Sequence, residues 1–215
     1  MNKKVNISID MMGGENSPDK TIDGIEIFIK RNKNLNDYFF YLFGDESLIK
    51  EKIKNKSIKN YEIIDTKIVV SDDLPALSAL KKGKGSSMWK SIESQNLLNS
   101  DVSLSAGNTG VLLVMSKMIL KTLEDVDKPA LAGLWPNDKG MNVVLDLGAN
   151  IECSEKNLID FSEMGAALYQ SLYPNDRAKV ALLNVGSEEI KGTELLKSTY
   201  SKLKILDEMG DFKFN

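Results

Sequence analysis

The sequence predicts an α/β protein of three-layer α/β/α form, built on a mostly parallel sheet. Three observations predict it. Short apolar, β-branched runs recur along the 215 residues, separated by stretches with apolar residues at helical spacing. Several of those runs are apolar on both sides rather than alternating, the pattern of strands covered on both faces. The composition, 42% hydrophobic and 27% charged, is that of a globular chain with material for a real core.

Residues 5–10 read as the first strand, which runs into a turn at Gly13-Gly14. Pro18 suits the first turn of a helix whose apolar face is Ile22, Ile25 and Ile29. Residues 38–43 form a second strand, ended by Gly44-Asp45, and a Lys-rich helix follows over about 47–56. Residues 61–70 hold one or two strands. Pro75 opens a helical segment that breaks in the polar stretch Lys81-Lys82-Gly83-Lys84-Gly85, and Ser86 or Ser87 caps the next helix. A short strand at 102–104 precedes a helix from Asn108 onward, in which residues 111–115 read as buried all round. Strand-like runs follow at 130–134 and 143–147, with Trp135-Pro136 ending the first. Leu158, Phe161, Gly165, Leu168 and Leu172 mark a helix, and 180–185 a further strand. Thr193 caps a last helix with Leu196, Thr199, Leu203 and Leu206 on one face. Gly210 then turns the chain towards a strand beginning at Phe212-Lys213-Phe214. With no repeat or convincing linker, residues 1–215 are read as one unit.

The net charge of −3 gives no reason to expect a nucleic-acid partner. The chain has no histidine, which excludes Ser-His-Asp and Cys-His mechanisms, zinc sites of the usual kind and the commonest general base. No metal and no cofactor is expected. The single cysteine, Cys153, cannot close an internal disulfide, which suits a reducing compartment. As a nucleophile it would lack a histidine to activate it, so it reads as a small, partly buried apolar group. The opening Met1-Asn2-Lys3-Lys4 is followed by too short an apolar stretch for a signal peptide, and no segment has the length to span a bilayer. A cytoplasmic protein is expected, with peripheral membrane contact left open.

Three turns share one design: an apolar strand, small and polar residues, then a helix start. They are residues 105–110 (Ser-Ala-Gly-Asn-Thr-Gly), 146–150 (Asp-Leu-Gly-Ala-Asn) and 184–189 (Asn-Val-Gly-Ser-Glu-Glu). Ligands of open α/β sheets bind at the carboxyl ends of strands, where helix N-termini offer free N–H groups and a positive dipole end to anions. The plainer reading of each turn is a tight bend with local side-chain caps. Three together point to a shared anion cleft. The P-loop pattern is absent, and no Gly-x-Gly-x-x-Gly follows the first strand. Met12-Gly13-Gly14 is too short a signal to decide anything. Lys81, Lys82 and Lys84, with Lys90 beyond them, form the main local basic cluster. It is either a solvated loop or a docking patch for an acidic partner.

Taken together, these segments resemble the PlsX-type phosphate acyltransferases. The matching stretches are residues 9–14 (Ile-Asp-Met-Met-Gly-Gly), Ser86-Ser87-Met88, 105–110, Pro129-Ala130-Leu131, 145–150 with Cys153, Met164-Gly165, and 182–192 (Leu-Leu-Asn-Val-Gly-Ser-Glu-Glu-Ile-Lys-Gly). They occur in the family's order, and the ordered set is specific although each piece is weak. Glu15 stands where the family usually has Asp, and Gly85 where an Asp commonly precedes the Ser-Ser pair; the family also continues well past this C-terminus. The resemblance implies an isocitrate/isopropylmalate dehydrogenase-like (phosphotransacetylase-like) fold and a homodimer. It implies the making of acyl phosphate from acyl-acyl-carrier-protein and inorganic phosphate in phospholipid synthesis. Such chemistry needs neither histidine nor a protein nucleophile, because the thioester is already activated and phosphate is itself the nucleophile. In that light Gly107, Asn108, Thr109 and Gly110 are expected to hold phosphate, with Gly148, Asn184 and Gly186 adding amides. Asn108, Asp146, Asn150 and Lys191 are the candidate catalytic group, with Asp10 and Asp146 orienting donors. Lys81, Lys82 and Lys84 are the candidate dock for acyl carrier protein. Two other readings compete: a fragment that binds phosphate or carrier protein without turnover, and a different enzyme on a similar scaffold, such as an acetyl-transferring phosphate enzyme or a dehydrogenase.

Overall fold

The computed structural model describes residues 4–32, 34–71, 76–186, 188, 191–210 and 212–214. The expectations resting on Pro75, Ser187 and Glu189 lie outside these residues. The chain forms two compact units, Met1–Lys121 and Thr122–Asn215.

In the first unit, β1 (Val5–Asp10), β2 (Tyr38–Gly44), β3 (Tyr61–Asp65) and β4 (Val102–Leu104) form one parallel sheet in the order β3-β2-β1-β4. Register decides which residues share a face. Ile7 pairs with Phe40 and Ile9 with Leu42, so these four lie together. They pack with Ile22, Ile25 and Ile29 of α1 (Asp19–Arg31) and with Ile49 and Ile53 of α2 (Glu46–Ile53) in one core. Phe28 of α1 meets Tyr38 and Phe40 edge-on, with ring centroids 5.0 and 6.1 Å apart. The apolar stripe read from the sequence is thus the buried one.

The opposite face carries Ser8 and Asp10, and here α4 (Ser87–Leu97) packs. Its contact with the sheet is polar but satisfied. Ser8 Oγ lies 2.5 Å from Ser94 Oγ and donates to Ser100 Oγ at 2.7 Å, and Ser94 Oγ donates to the Ser91 carbonyl. Helices on both faces make this unit three-layered, as expected. A second core joins α4 to α3 (Ala76–Lys82) and α5 (Thr109–Leu120) through Met88, Trp89, Ile92, Val111 and Met115. Ser86 is the cap of α4, its Oγ accepting from Trp89 N. Within α5 only Val111 and Met115 of the 111–115 run are buried; Leu112, Leu113 and Val114 are half-buried, so the helix is one-sided rather than enclosed.

The second unit departs more from expectation. The strands read at 130–134 and 143–147 are displaced to β5 (Gly133–Asn137) and β6 (Gly140–Val144), an antiparallel pair. The cause is the turn. Asn137 pairs with Gly140 across the two residues Asp138-Lys139, and this hairpin draws both strands towards itself. Trp135 and Pro136 therefore lie inside β5 and do not end a strand. The strand read at 180–185 shrinks to β7 (Lys179–Val180), which pairs in parallel with β8 (Lys213–Phe214). Leu183 and Val185 are 91% and 86% exposed, so apolar character alone does not hold that run in a sheet. α6 (Glu155–Leu172) and α7 (Glu194–Met209) contribute to a small core around Leu203, Phe212 and Phe214. Leu203 and Thr199 of the expected α7 face are fully buried, whereas Leu168 and Leu172 of α6 are exposed. No helix among the described residues is long and apolar enough to cross a membrane.

Candidate active site

The strand order β3-β2-β1-β4 places the second strand on one side of β1 and the last on the other. β1 leads into α1, which packs on the Ile7–Ile9 face, and β4 leads into α5, which packs with α4; the crevice at the carboxyl ends of these two neighbouring strands is the usual ligand position of such sheets. Two loops meet there: Met11–Gly14 after β1 and Ser105–Asn108 after β4.

Their contact is close and specific. Asp10, 1% exposed, accepts a hydrogen bond from Ser105 Oγ at 2.7 Å and one from Met12 N at 3.2 Å. Ser105 Oγ in turn accepts from Gly107 N at 3.1 Å. A Cβ on Gly13 would lie 2.4 Å from Asp10 Oδ2 and 2.9 Å from Gly107 N. One on Gly14 would lie 2.5 Å from the Ala106 carbonyl, and Gly14 holds φ +83. Both glycines are therefore required by the approach of the second loop. The sequence alone leaves Gly13-Gly14 undecided because the partner loop, Ser105–Gly107, is more than ninety residues away.

The candidate phosphate loop 107–110 starts α5. Asn108 is its N-cap, Oδ1 accepting from Val111 N at 3.0 Å. Thr109 and Gly110 are exposed, and a Cβ on Gly110 would meet only Asn108 Oδ1, at 3.4 Å. The first turn of a twelve-residue helix thus faces an open approach.

The other candidates lie in the second unit and form two local groups. Asp146 accepts from Leu131 N at 2.8 Å, Asn150 N at 2.7 Å and Asn150 Nδ2 at 3.1 Å. Asn150 Nδ2 also donates to the Pro129 carbonyl at 2.9 Å. Burial acts to raise the Asp146 carboxyl, but hydrogen bonds from the amides of Leu131, Asn150 and Ala149 and from the Asn150 side chain outweigh it and hold the group below the usual carboxylate value. Asp146 and Asn150 so tie the 146–150 turn to residues 129–131, and Gly148 stands exposed at its tip. In the second group, Asn184 Nδ2 donates to the Lys191 carbonyl at 3.2 Å and Asn184 Oδ1 accepts from Val185 N. A Cβ on Gly186 would meet Lys191 Cγ at 3.2 Å, so Asn184, Gly186 and Lys191 lie close together. Lys191 itself is exposed. Cys153 is half-buried with a free thiol. Lys81, Lys82 and Lys84 are all exposed at and just after the end of α3.

Residues 5–214 match the family model described as "Fatty acid synthesis protein". The chain is 54% identical over 214 residues to a phosphate acyltransferase of Pelagibacter ubique, covering 100% of this chain and 63% of that protein. It is 39% identical over 206 residues to a phosphate acyltransferase of Rhodospirillum rubrum, covering 95% of this chain and 58% of the relative. The chain therefore spans less than two thirds of the length of these relatives. Among solved structures, EutD phosphotransacetylase from Staphylococcus aureus superposes with a TM-score of 0.66 at 14% identity, covering 100% of this chain and 68% of that one. A branched-chain phosphotransacylase from Enterococcus faecalis gives 0.61 at 12% identity, covering 98% and 66%. The fold is accordingly phosphotransacetylase-like.

Proposed function

The chain belongs to the fatty acid synthesis protein family, and from that membership we propose that it carries the phosphate half of an acyl-transfer site, making acyl phosphate from an acyl thioester and inorganic phosphate. One observation carries the reading: the β1 and β4 loops meet at the crevice of the sheet, with the open N-terminus of α5 beside them. Amides and the dipole end at Gly107, Asn108, Thr109 and Gly110 favour a phosphate dianion there.

In the reaction, a phosphate oxygen attacks the thioester carbonyl carbon. The C–O bond forms, a tetrahedral oxyanion passes, the C–S bond breaks, and the thiolate leaves to take the proton given up by phosphate. Holding the two reactants in line is worth roughly 7–11 kcal/mol in favourable cases. A donor to the oxyanion adds about 3 kcal/mol. Asn150, Asn184 and Lys191, with amides at Gly148 and Gly186, are the proposed donors, and Asp146 positions Asn150.

The donor in this reading is acyl carrier protein, whose acidic surface suits the exposed Lys81, Lys82 and Lys84. Phospholipid synthesis is the setting. The single cysteine supports a reducing, cytoplasmic location. A homodimer with peripheral membrane contact completes the proposal, and sedimentation with and without lipid vesicles checks both. The deciding experiment incubates the chain with long-chain acyl carrier protein and phosphate and assays acyl phosphate. Asn108→Ser retains a capping oxygen while shortening the side chain. It is expected to raise the KM for phosphate, and an unchanged KM removes Asn108 from the site.

A further inference from the structure

A cavity of about 430 Å³ opens beside the crevice, wholly within the first unit. This lies in the range of small-ligand pockets, about 300–1,000 Å³. Its polar lining includes Asp10, Gly13, Gly14 and Ser105, the groups already seen where the two loops meet. Its walls are apolar: Ile7 and Ile9 of β1, Leu104 of β4, and Ile25 and Phe28 of α1. The register explains the shape. Leu104 pairs with Ile9 and Val102 with Ile7, so they share the face that α1 covers over β1 and β2. Yet Leu104 is 48% exposed, so the apolar surface continues over β4 beyond α1.

Gly24 is the second observation. It sits in the middle of α1 with no positive φ and nothing within 4 Å of an added Cβ. Neither backbone conformation nor crowding requires glycine there, and mid-helix glycine is unfavourable. What glycine does at this position is leave the side of the cavity open.

We propose that this cavity takes the acyl chain of the substrate, with the reacting carboxyl carbon at the polar Asp10–Ser105 end and the tail running down α1 towards Phe28. The proposal rests on the acyl-transfer reading and names the part of the site that reads the chain. From Lys20 to Phe28 the helix offers a wall roughly 12 Å long, which commits the pocket to a linear apolar ligand entering from the crevice.

The test is calorimetric titration of the chain with alkylphosphonates from methyl to dodecyl, which carry the phosphate-like head without a scissile bond. Affinity should rise about fourfold per methylene until the cavity is full, then level off. Gly24→Phe should lower decylphosphonate affinity by about tenfold or more and move the plateau to shorter chains, leaving methylphosphonate unchanged. Leu104→Asp should weaken only the long members. Circular dichroism melts confirm that both variants fold. Affinity independent of chain length, or a Gly24→Phe profile identical to the parent's, overturns the acyl pocket. If methylphosphonate and phosphate still compete in that case, the phosphate site stands without it. Chain-length dependence with no competition by phosphate supports the pocket and sinks the phosphate site instead.

Discussion

Gly14 and Gly24 border the same cavity and answer to opposite demands. At Gly14, φ +83 and the Ala106 carbonyl leave no place for a Cβ, so Gly14→Ala should destabilise the first unit by about 1–3 kcal/mol. At Gly24 the space is empty, and Gly24→Ala should stabilise by about 0.5–1 kcal/mol. Urea denaturation of the two variants checks the contrast, and equal effects would mean that close approach does not explain the first glycine. Asp146 makes a different demand. Its carboxyl sits below the usual value, so its ionised form is favoured by folding. The stability it contributes is fully present above the unfolded value of about 3.9 and is lost as pH falls through the lower folded value. Asp146→Asn should remove that part of the acid-side slope in a pH series of melting curves. An unaltered slope would show that the amides of Leu131 and Asn150 do not bias its ionisation.

Ser86 shows how far a helix start is legible in a linear sequence. Serine ahead of an apolar-periodic run predicts a cap, and Ser86 Oγ accepts from Trp89 N in a fully buried setting. Ser86→Ala should cost about 1–2 kcal/mol, because the orphaned amide has no water to turn to. Ser86→Thr or Ser86→Asp should retain more of the stability than Ala if the cap is the reason. α1, β1, β2 and Thr193 are equally readable, since local spacing and local caps fix them. The strands of the second unit are not. Residues 130–134 and 143–147 have strand-like composition, but pairing is settled by Asn137↔Gly140, a hairpin signal that the apolar runs on either side outshine. Leu147 N still bonds to the Leu131 carbonyl, so the apolar segments do run past one another; the side chain of Asp146 claims Leu131 N and diverts the ladder. Composition reports which residues suit a strand, whereas pairing depends on partners that a linear reading does not see.

The whole chain divides unevenly, and the division predicts how it unfolds. The first unit holds two apolar cores, one across β1, β2, α1 and α2 and one joining α3, α4 and α5. Among the described residues the core cluster of the second is smaller: Leu203, Phe212 and Phe214 are its buried members, with Ile159, Ala166, Val180, Leu182 and Leu206 packed against them, while Ile151, Leu183 and Val185 are 86% exposed or more. Burial of apolar surface is the main favourable term in folding, so the second unit should open at lower denaturant. The two tryptophans fall on opposite sides of the division, Trp89 buried in the first unit and Trp135 exposed in the second. In a Trp135→Phe variant, fluorescence then reports the first unit alone, while far-ultraviolet circular dichroism also reports α6 and α7. The circular dichroism transition should begin before the fluorescence changes, and amide exchange should reach α6 and α7 before β1 and β2. Coincident transitions would mean that the chain unfolds as one cooperative body. This asymmetry also explains why the site is only half legible. Gly107–Gly110 lies in the well-packed unit, where the turn design read from the sequence meets a partner loop that completes it. In the second unit Asp146 and Asn150 bond to each other and to residues 129–131, and Asn184 bonds to the Lys191 carbonyl, local uses that the same residue types permit just as well. Sequence can supply the glycines and asparagines of an anion cleft, but whether their donors face a ligand or their own loop is decided by the packing around them.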